Sequence, residues 1–461
     1  MAKERRGTLS KVPRVSRERD AADALLASRT FTRFQLTPKI RLLVEENPGA
    51  VSAALGYWVG CGSRHESRAL HGATHLAEHM FFKGTSQHSA EELSSILERF
   101  GGDLNAFTDR EYTCFHAWVP AERTSLAFNL ITEMLYDSLF DEDEFRKERQ
   151  VVVQELRGYE DSAEDEFGDA LLEVPWRGHA LGRRIGGYAR EVRKLEHGPF
   201  VKYIHEEFLA APIVISVASP LPAKEVRLQV LDALNRVRSL RGGRAIDQRP
   251  RRARITAPSM GRSLVARSHV RSFEAEQVQL GFVFPAHGIR DPREVYWSAL
   301  SSLLGGGASS ALFREIREVR GLAYSTYSQY SAFGDSGLLG LAVATDKKRL
   351  LENAQVCGEI CRRYAKGVPE GELDFVKTQL EGATYMSYEG IHNRMDTMGR
   401  QELIYGRQLG LSESLEEIRS MTARGLANVA KELARTPCVI ALGPVTARDQ
   451  AKILAAWNGR T

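Results

Sequence analysis

From Phe31 to Gly60, apolar and polar residues alternate with a period of two around Glu46-Asn47-Pro48-Gly49, so this stretch reads as a strand hairpin. The period then lengthens. GATHLAEHMFFKGT places Leu76, Met80, Phe81 and Phe82 at helical spacing between Gly72 and Gly84. SAEELSSILERFG continues the helical period. After Gly101-Gly102, LNAFTDREYTCFHAWV reads as a strand, and helices follow over residues 122–138 and 141–159.

The same order returns in the second half. Leu55-Gly56 matches Leu280-Gly281, Ala117 matches Ala342, and Val151 and Gln154 match Val376 and Gln379, all at an offset of 225. The chain therefore reads as two copies of one α+β unit, each a mostly antiparallel sheet packed with helices. An Arg-, Gly- and Pro-rich stretch separates them. The expected division is a basic mobile extension over 1–28, a first domain over 29–238, a linker over 239–262 and a second domain over 263–461.

Composition is that of an ordinary globular protein, with 461 residues and a net charge of +4 that gives no nucleic-acid signal. No apolar run approaches the ~20 residues of a membrane span. The basic N-terminus lacks the apolar core of a secretory signal, and Glu4, Glu18, Asp20 and Asp23 argue against an import peptide. The five cysteines are scattered and odd in number, which fits buried free thiols, including the pair Cys357 and Cys361, and a reducing cytoplasm.

The chemistry concentrates at His75-Leu76-Ala77-Glu78-His79. Two histidines four apart share one helix face, and Glu78 projects towards the same face. This is H-x-x-E-H, the mirror of the H-E-x-x-H zinc motif. At the offset of 225 these positions become Leu300, Leu303 and Leu304, so only the first half can hold a metal. A hydrolytic zinc site needs a third protein ligand. FRKERQVVVQELRGYEDS offers Glu148 and Glu155, seven apart on one face, and composition does not choose between them. Gly305-Gly306-Gly307 lacks the G-K-[ST] ending of a phosphate loop, which excludes that mode of nucleotide binding.

The stretches GSRHESRALHGATHLAEHMFFKGT, GGDLNAFTDREYTCF, ERQVVVQELRGYED, HALGRRIGG and LGGGASSALFREIREVRGLAYSTYS resemble the pitrilysin/insulinase family of zinc metallopeptidases, and most of all its mitochondrial-processing-peptidase branch. The resemblance implies a clamshell of homologous halves and one Zn2+ per chain on His75, His79 and Glu155. Glu78 is then the general base and Glu148 supports a ligand. It also implies that Asn105, Ala106 and Phe107 lie on an edge strand that pairs with an extended peptide, and that Arg317 and Tyr324 contact the substrate or oxyanion. Asp165 or Asp169, in the acidic run after Glu155, would recognise a basic side chain. The expected activity is endoproteolysis of short or unfolded peptides by a homodimer, or by a heterodimer with an inactive paralogue. A non-catalytic partner subunit is the alternative, and the retained His75, Glu78, His79 and Glu155 argue against it. The chain departs from the family pattern at Leu76-Ala77 and at Ala218-Ser219.

Overall fold

The computed structural model describes residues 29–241, 267–369 and 371–460. The expected extension over 1–28 and nearly all of the expected linker lie outside the described residues. Ser239 and Leu240, assigned to that linker, instead close the helix Ala223–Leu240.

The first half builds a six-stranded sheet from β1 (Thr30–Gln35), β2 (Ile40–Glu46), β3 (Ser52–Val59), β4 (Asp103–Thr108), β5 (Thr113–Pro120) and β6 (Ile213–Ser219), in the order β1-β2-β6-β3-β5-β4. The second half builds a five-stranded sheet from β7 (His269–Ser272), β8 (Val278–Ala286), β9 (Ser325–Ala332), β10 (Gly337–Thr345) and β11 (Cys438–Gly443), in the order β7-β11-β8-β10-β9. At the offset of 225 the second order is the first without β1. Both sheets are mixed: β2–β6 and β7–β11 run parallel, and the other pairings are antiparallel.

Two local expectations change. The turn around Asn47 forms, but β2 and β3 do not pair with each other. The fully buried strand β6 lies between them, and the Asn47 amide donates to the Ser219 carbonyl at 2.7 Å. β2 instead forms its hairpin with β1. The stretch LNAFTDREYTCFHAWV is two strands, β4 and β5, folded back at Asp109–Tyr112.

Helices α1 (Ala73–Met80), α2 (Ala90–Ser95), α3 (Thr124–Asp137), α4 (Glu142–Asp161) and α5 (Ala163–Glu173) follow in the first half. The second half has α6 (Glu294–Gly305), α7 (Leu350–Lys366), α8 (Glu372–Glu389) and α9 (Ile391–Tyr405) among others. Leu76 and Met80 of α1, Ile131 of α3 and Val152 of α4 bury against Leu42, Leu55 and Phe115 on one face of the first sheet.

The opposite face is covered from the other half. Met395 and Met398 of α9 pack on Trp58, Cys114, Val214 and Ala218 of the first sheet. Reciprocally, Phe167 and Leu171 of α5 pack on Val283, Ala342 and Ile440 of the second. Each such buried side chain contributes about 1.5–3 kcal/mol, so the exchange holds the halves together. The glycines matched in the sequence explain the fit. A Cβ at Gly56 would come within 2.5 Å of Met395 Sδ, and one at Gly281 within 2.8 Å of Leu171 Cδ2. Each exchanged helix also carries an ion pair to the far half. Arg394 meets Glu45 at 2.7 Å, with both side chains buried, and Glu166 pairs with Arg271. All five cysteines are buried free thiols.

Candidate active site

The site begins with how α1 starts. Gly72, the residue before the helix, takes a left-handed φ of +89°, and a Cβ there would lie 2.5 Å from the Gly186 carbonyl. The loop 184–187 therefore passes directly over the start of the motif helix. The buried Glu66 carboxylate accepts the Gly72 amide at 2.9 Å and the Thr74 amide at 2.7 Å, capping the helix. Burial raises the Glu66 carboxyl to about 7 against the pull of those amides.

On α1, one turn apart, the rings of His75 and His79 lie 4.8 Å apart, centre to centre. α4 crosses them and brings up Glu155. One carboxylate oxygen is 3.9 Å from His75 Nε2 and the other is 3.6 Å from His79 Nε2. Glu155 also accepts from Tyr159 OH at 3.1 Å. Among the described residues, His75, His79 and Glu155 are the group of three or more ligating side chains whose donor atoms converge, all within 4.8 Å of one another. Two imidazoles and a carboxylate suit zinc and leave a fourth position for water.

Electrostatics supports the same use. Burial first, and then the neighbouring His79, holds His75 down to about 4, so its ring is neutral over the physiological range. His79 moves the other way. Burial opposes its charge, but the hydrogen bond to Glu148 and the carboxylates of Glu155, Glu148 and Glu78 outweigh burial and raise it. Glu148 does not join the converging group. It stands behind His79, with Oε1 3.1 Å from Nδ1, and its second oxygen pairs with Lys83 at 2.7 Å.

Glu78 faces a cavity of about 290 Å³ that His75, Glu155, Tyr159, Phe107 and Thr108 also line. Burial raises the Glu78 carboxyl, and the Thr108 hydroxyl, donating at 2.6 Å, works against that rise. Asn105, Ala106 and Phe107 lie on β4, whose outer side pairs with no strand among the described residues. Phe107 is anchored edge-on against Trp58 at 5.9 Å and reaches the cavity wall. The site thus offers a metal-ligand set, an acid/base carboxylate and an open strand edge within one small volume.

The other expected residues are placed differently. Asp169 lines the cavity, its carboxyl raised by burial against the pull of Arg184 and Arg110. Asp165 is exposed in the first turn of α5 and lies off the cavity. Arg317 and Tyr324 come together, the guanidinium 4.4 Å from the ring centre, but neither lines the cavity of its own chain. Tyr324 is 77% exposed. A separate cleft of about 1170 Å³ runs between the halves past Tyr112, Glu402 and Tyr405 and includes none of the converging ligands. Reading the sequence missed Glu66, Lys83, Thr108 and Gly186. Lys83 follows His79 by one helical turn, but Glu66, Thr108 and Gly186 have no periodic relation to the motif, and only the tertiary fold brings them to it.

Two family models match the chain: the insulinase domain of peptidase family M16 over residues 41–188, and the inactive domain of the same family over residues 202–380. An uncharacterized zinc protease of Bacillus subtilis is 31% identical over 411 residues, which is 89% of this chain and 97% of that protein. The mitochondrial-processing peptidase subunit beta of Dictyostelium discoideum is 27% identical over 92% of this chain and 91% of its own length. A crystallised protease from Helicobacter pylori shares the fold with a TM-score of 0.79 at 18% identity, over 90% of this chain and all of that one.

Proposed function

Because the chain belongs to the insulinase family, peptidase family M16, we propose that it is a zinc-dependent endopeptidase acting on short or unfolded peptides. The observation that carries this reading is the convergence of His75, His79 and Glu155 beside Glu78 and the open edge of β4. Those three side chains would hold a zinc ion, which would supply Lewis acidity and lower the pKa of a bound water towards neutral.

The protein's own groups do the rest. Glu78, kept partly desolvated in the cavity wall, takes a proton from the attacking water and passes it to the leaving amine. Glu148 holds His79 by its far nitrogen, so that Nε2 faces inward. β4 receives the substrate as an added strand. Main-chain pairing of that kind needs an extended peptide and tolerates many sequences. Asp169, in the cavity wall, is the better placed of the two aspartates to meet a basic side chain.

Arg317 and Tyr324 remain candidates for holding the substrate backbone. Their separation from this chain's own cavity favours a dimer in which a second chain presents them, either an identical copy or an inactive paralogue. Among the described residues, no helix is long and apolar enough to cross a membrane.

Incubation with a mixture of unstructured peptides, followed by mass spectrometry, tests the function. Internal cleavage that disappears with a chelator and returns with zinc supports it. Cleavage indifferent to the chelator, or none, contradicts it.

A further inference from the structure

The duplication offers an internal control that separates groups kept for the fold from groups kept for the chemistry. At the offset of 225, Glu66 becomes Asp291, whose carboxylate accepts the Arg293 amide at 2.9 Å just before α6. A carboxylate at the start of this helix is thus present in both halves, as are the glycines under the exchanged helices. The metal-site residues are not: His75, Glu78, His79, Glu148 and Glu155 become Leu300, Leu303, Leu304, Leu373 and Leu380. Leu303, the counterpart of Glu78, is buried.

Thr108 is the last residue of β4. On this strand Leu104 and Ala106 alternate towards the core, and Thr108 continues that face to Glu78, 2.6 Å from its Oε2. Asn105 and Phe107 alternate to the other face, and Phe107 is fixed among Trp58, Tyr112 and His116. Ring contacts on one face and the hydroxyl on the other therefore hold the strand end beside the carboxylate. A short, directed hydroxyl donor fixes one of the two Glu78 oxygens and leaves the other for water.

We propose that Thr108 is the positioning residue of the general base, and that β4 thereby ties peptide docking to the orientation of Glu78. This rests on the function proposed above, in which Glu78 is the base and β4 the docking edge. A peptide paired along β4 lies on the same strand that holds the base, so a shift in the strand moves both.

Thr108→Val removes the hydroxyl and keeps the branched shape, and Thr108→Ser keeps the hydroxyl. On a peptide that the wild type cleaves, the valine variant is expected to lose about ten- to a hundred-fold in kcat, the scale of a misplaced reacting group. Its KM should stay within about twofold, since the hydroxyl adds nothing to ground-state binding. The serine variant should recover most of the rate, with unchanged zinc content in both. An independent readout uses metal-free protein. The Tm losses of Thr108→Val and Glu78→Gln should be less than additive in the double variant, as for two partners in one hydrogen bond. A raised KM with unchanged kcat, no rescue by serine, or additive Tm losses each overturn the proposal. A wild type that cleaves while Thr108→Val matches it overturns this inference alone. A wild type with no chelator-sensitive cleavage overturns the proposed function and this inference with it.

Discussion

Glu148 Oε1 lies 3.1 Å from His79 Nδ1, on the side of the ring that faces away from Glu155. With Lys83 on its other oxygen, Glu148 is fixed from both ends. The two hydrogen bonds hold its carboxyl below the usual range even though burial acts in the opposite direction. The pair thus fixes the orientation of the His79 ring through its far nitrogen.

Replacing Glu148 by Gln keeps the shape and removes the charge. The expected result is a folded protein whose zinc affinity falls by about ten- to a hundred-fold, the usual scale for such supporting partners. Competition with a zinc-binding dye measures it. An unchanged affinity would remove Glu148 from the account.

The pH dependence has a definite sign. His79 in the metal-free protein titrates above its ordinary 6.5: burial lowers it, and Glu148 and Glu155 raise it by more. The folded protein therefore holds a proton that the unfolded chain has released. That stabilising contribution is full below pH 6.5 and is lost as pH rises through the folded value. Zinc must displace the same proton. Calorimetry in buffers of different ionisation heat should detect proton release near neutral pH, fading in more alkaline buffer. Release that grows with pH would contradict the assignment.

The exchanged helices give a test of the fold. Gly281→Ala places a methyl group 2.8 Å from Leu171 Cδ2 and 2.9 Å from Phe167 Cζ. Overpacking of this kind costs about 1–3 kcal/mol. Chemical denaturation should show that loss, and Leu171→Ala in the same chain should recover part of it. Losses that simply add would mean that α5 does not press on β8.

The buried pair Glu45 and Arg394 spans the two halves. Glu45→Gln leaves the guanidinium without its counter-charge, although it still rests 4.0 Å from the Tyr388 ring centre. Removing one partner of a buried pair costs about 3–5 kcal/mol. A midpoint shift of that size in denaturant is expected. A shift within the error of the experiment would show that the pair is not desolvated.

Local signals were legible in the sequence because they depend on neighbours. The helical spacing of His75 and His79, the glycine that opens their helix, and the offset that turns those histidines into Leu300 and Leu304 all lie within short windows or at a constant interval. Glu155 needed more. Its spacing with Glu148 put both on one face, and only the likeness to the family separated them, because position along the helix axis, about 10 Å between the two, decides which carboxylate reaches the imidazoles. Glu66 and Thr108 act through space from a loop and a strand end, with no period to reveal them. The insertion of β6 between β2 and β3 was hidden for a related reason. An apolar strand shows how buried it is, not which neighbours it chooses. The exchanged helices follow the same rule, since an apolar face shows that a helix is buried but not against which half.

Glu78→Gln decides between a zinc peptidase and a metal-holding scaffold. The change removes the base and leaves His75, His79 and Glu155 in place. Zinc content and peptide turnover are then measured on the same preparation. One zinc per chain with turnover reduced by at least about a hundredfold, the scale of general-base catalysis, is the predicted result. Full zinc with substantial turnover would contradict the role given to Glu78 and the mechanism built on it.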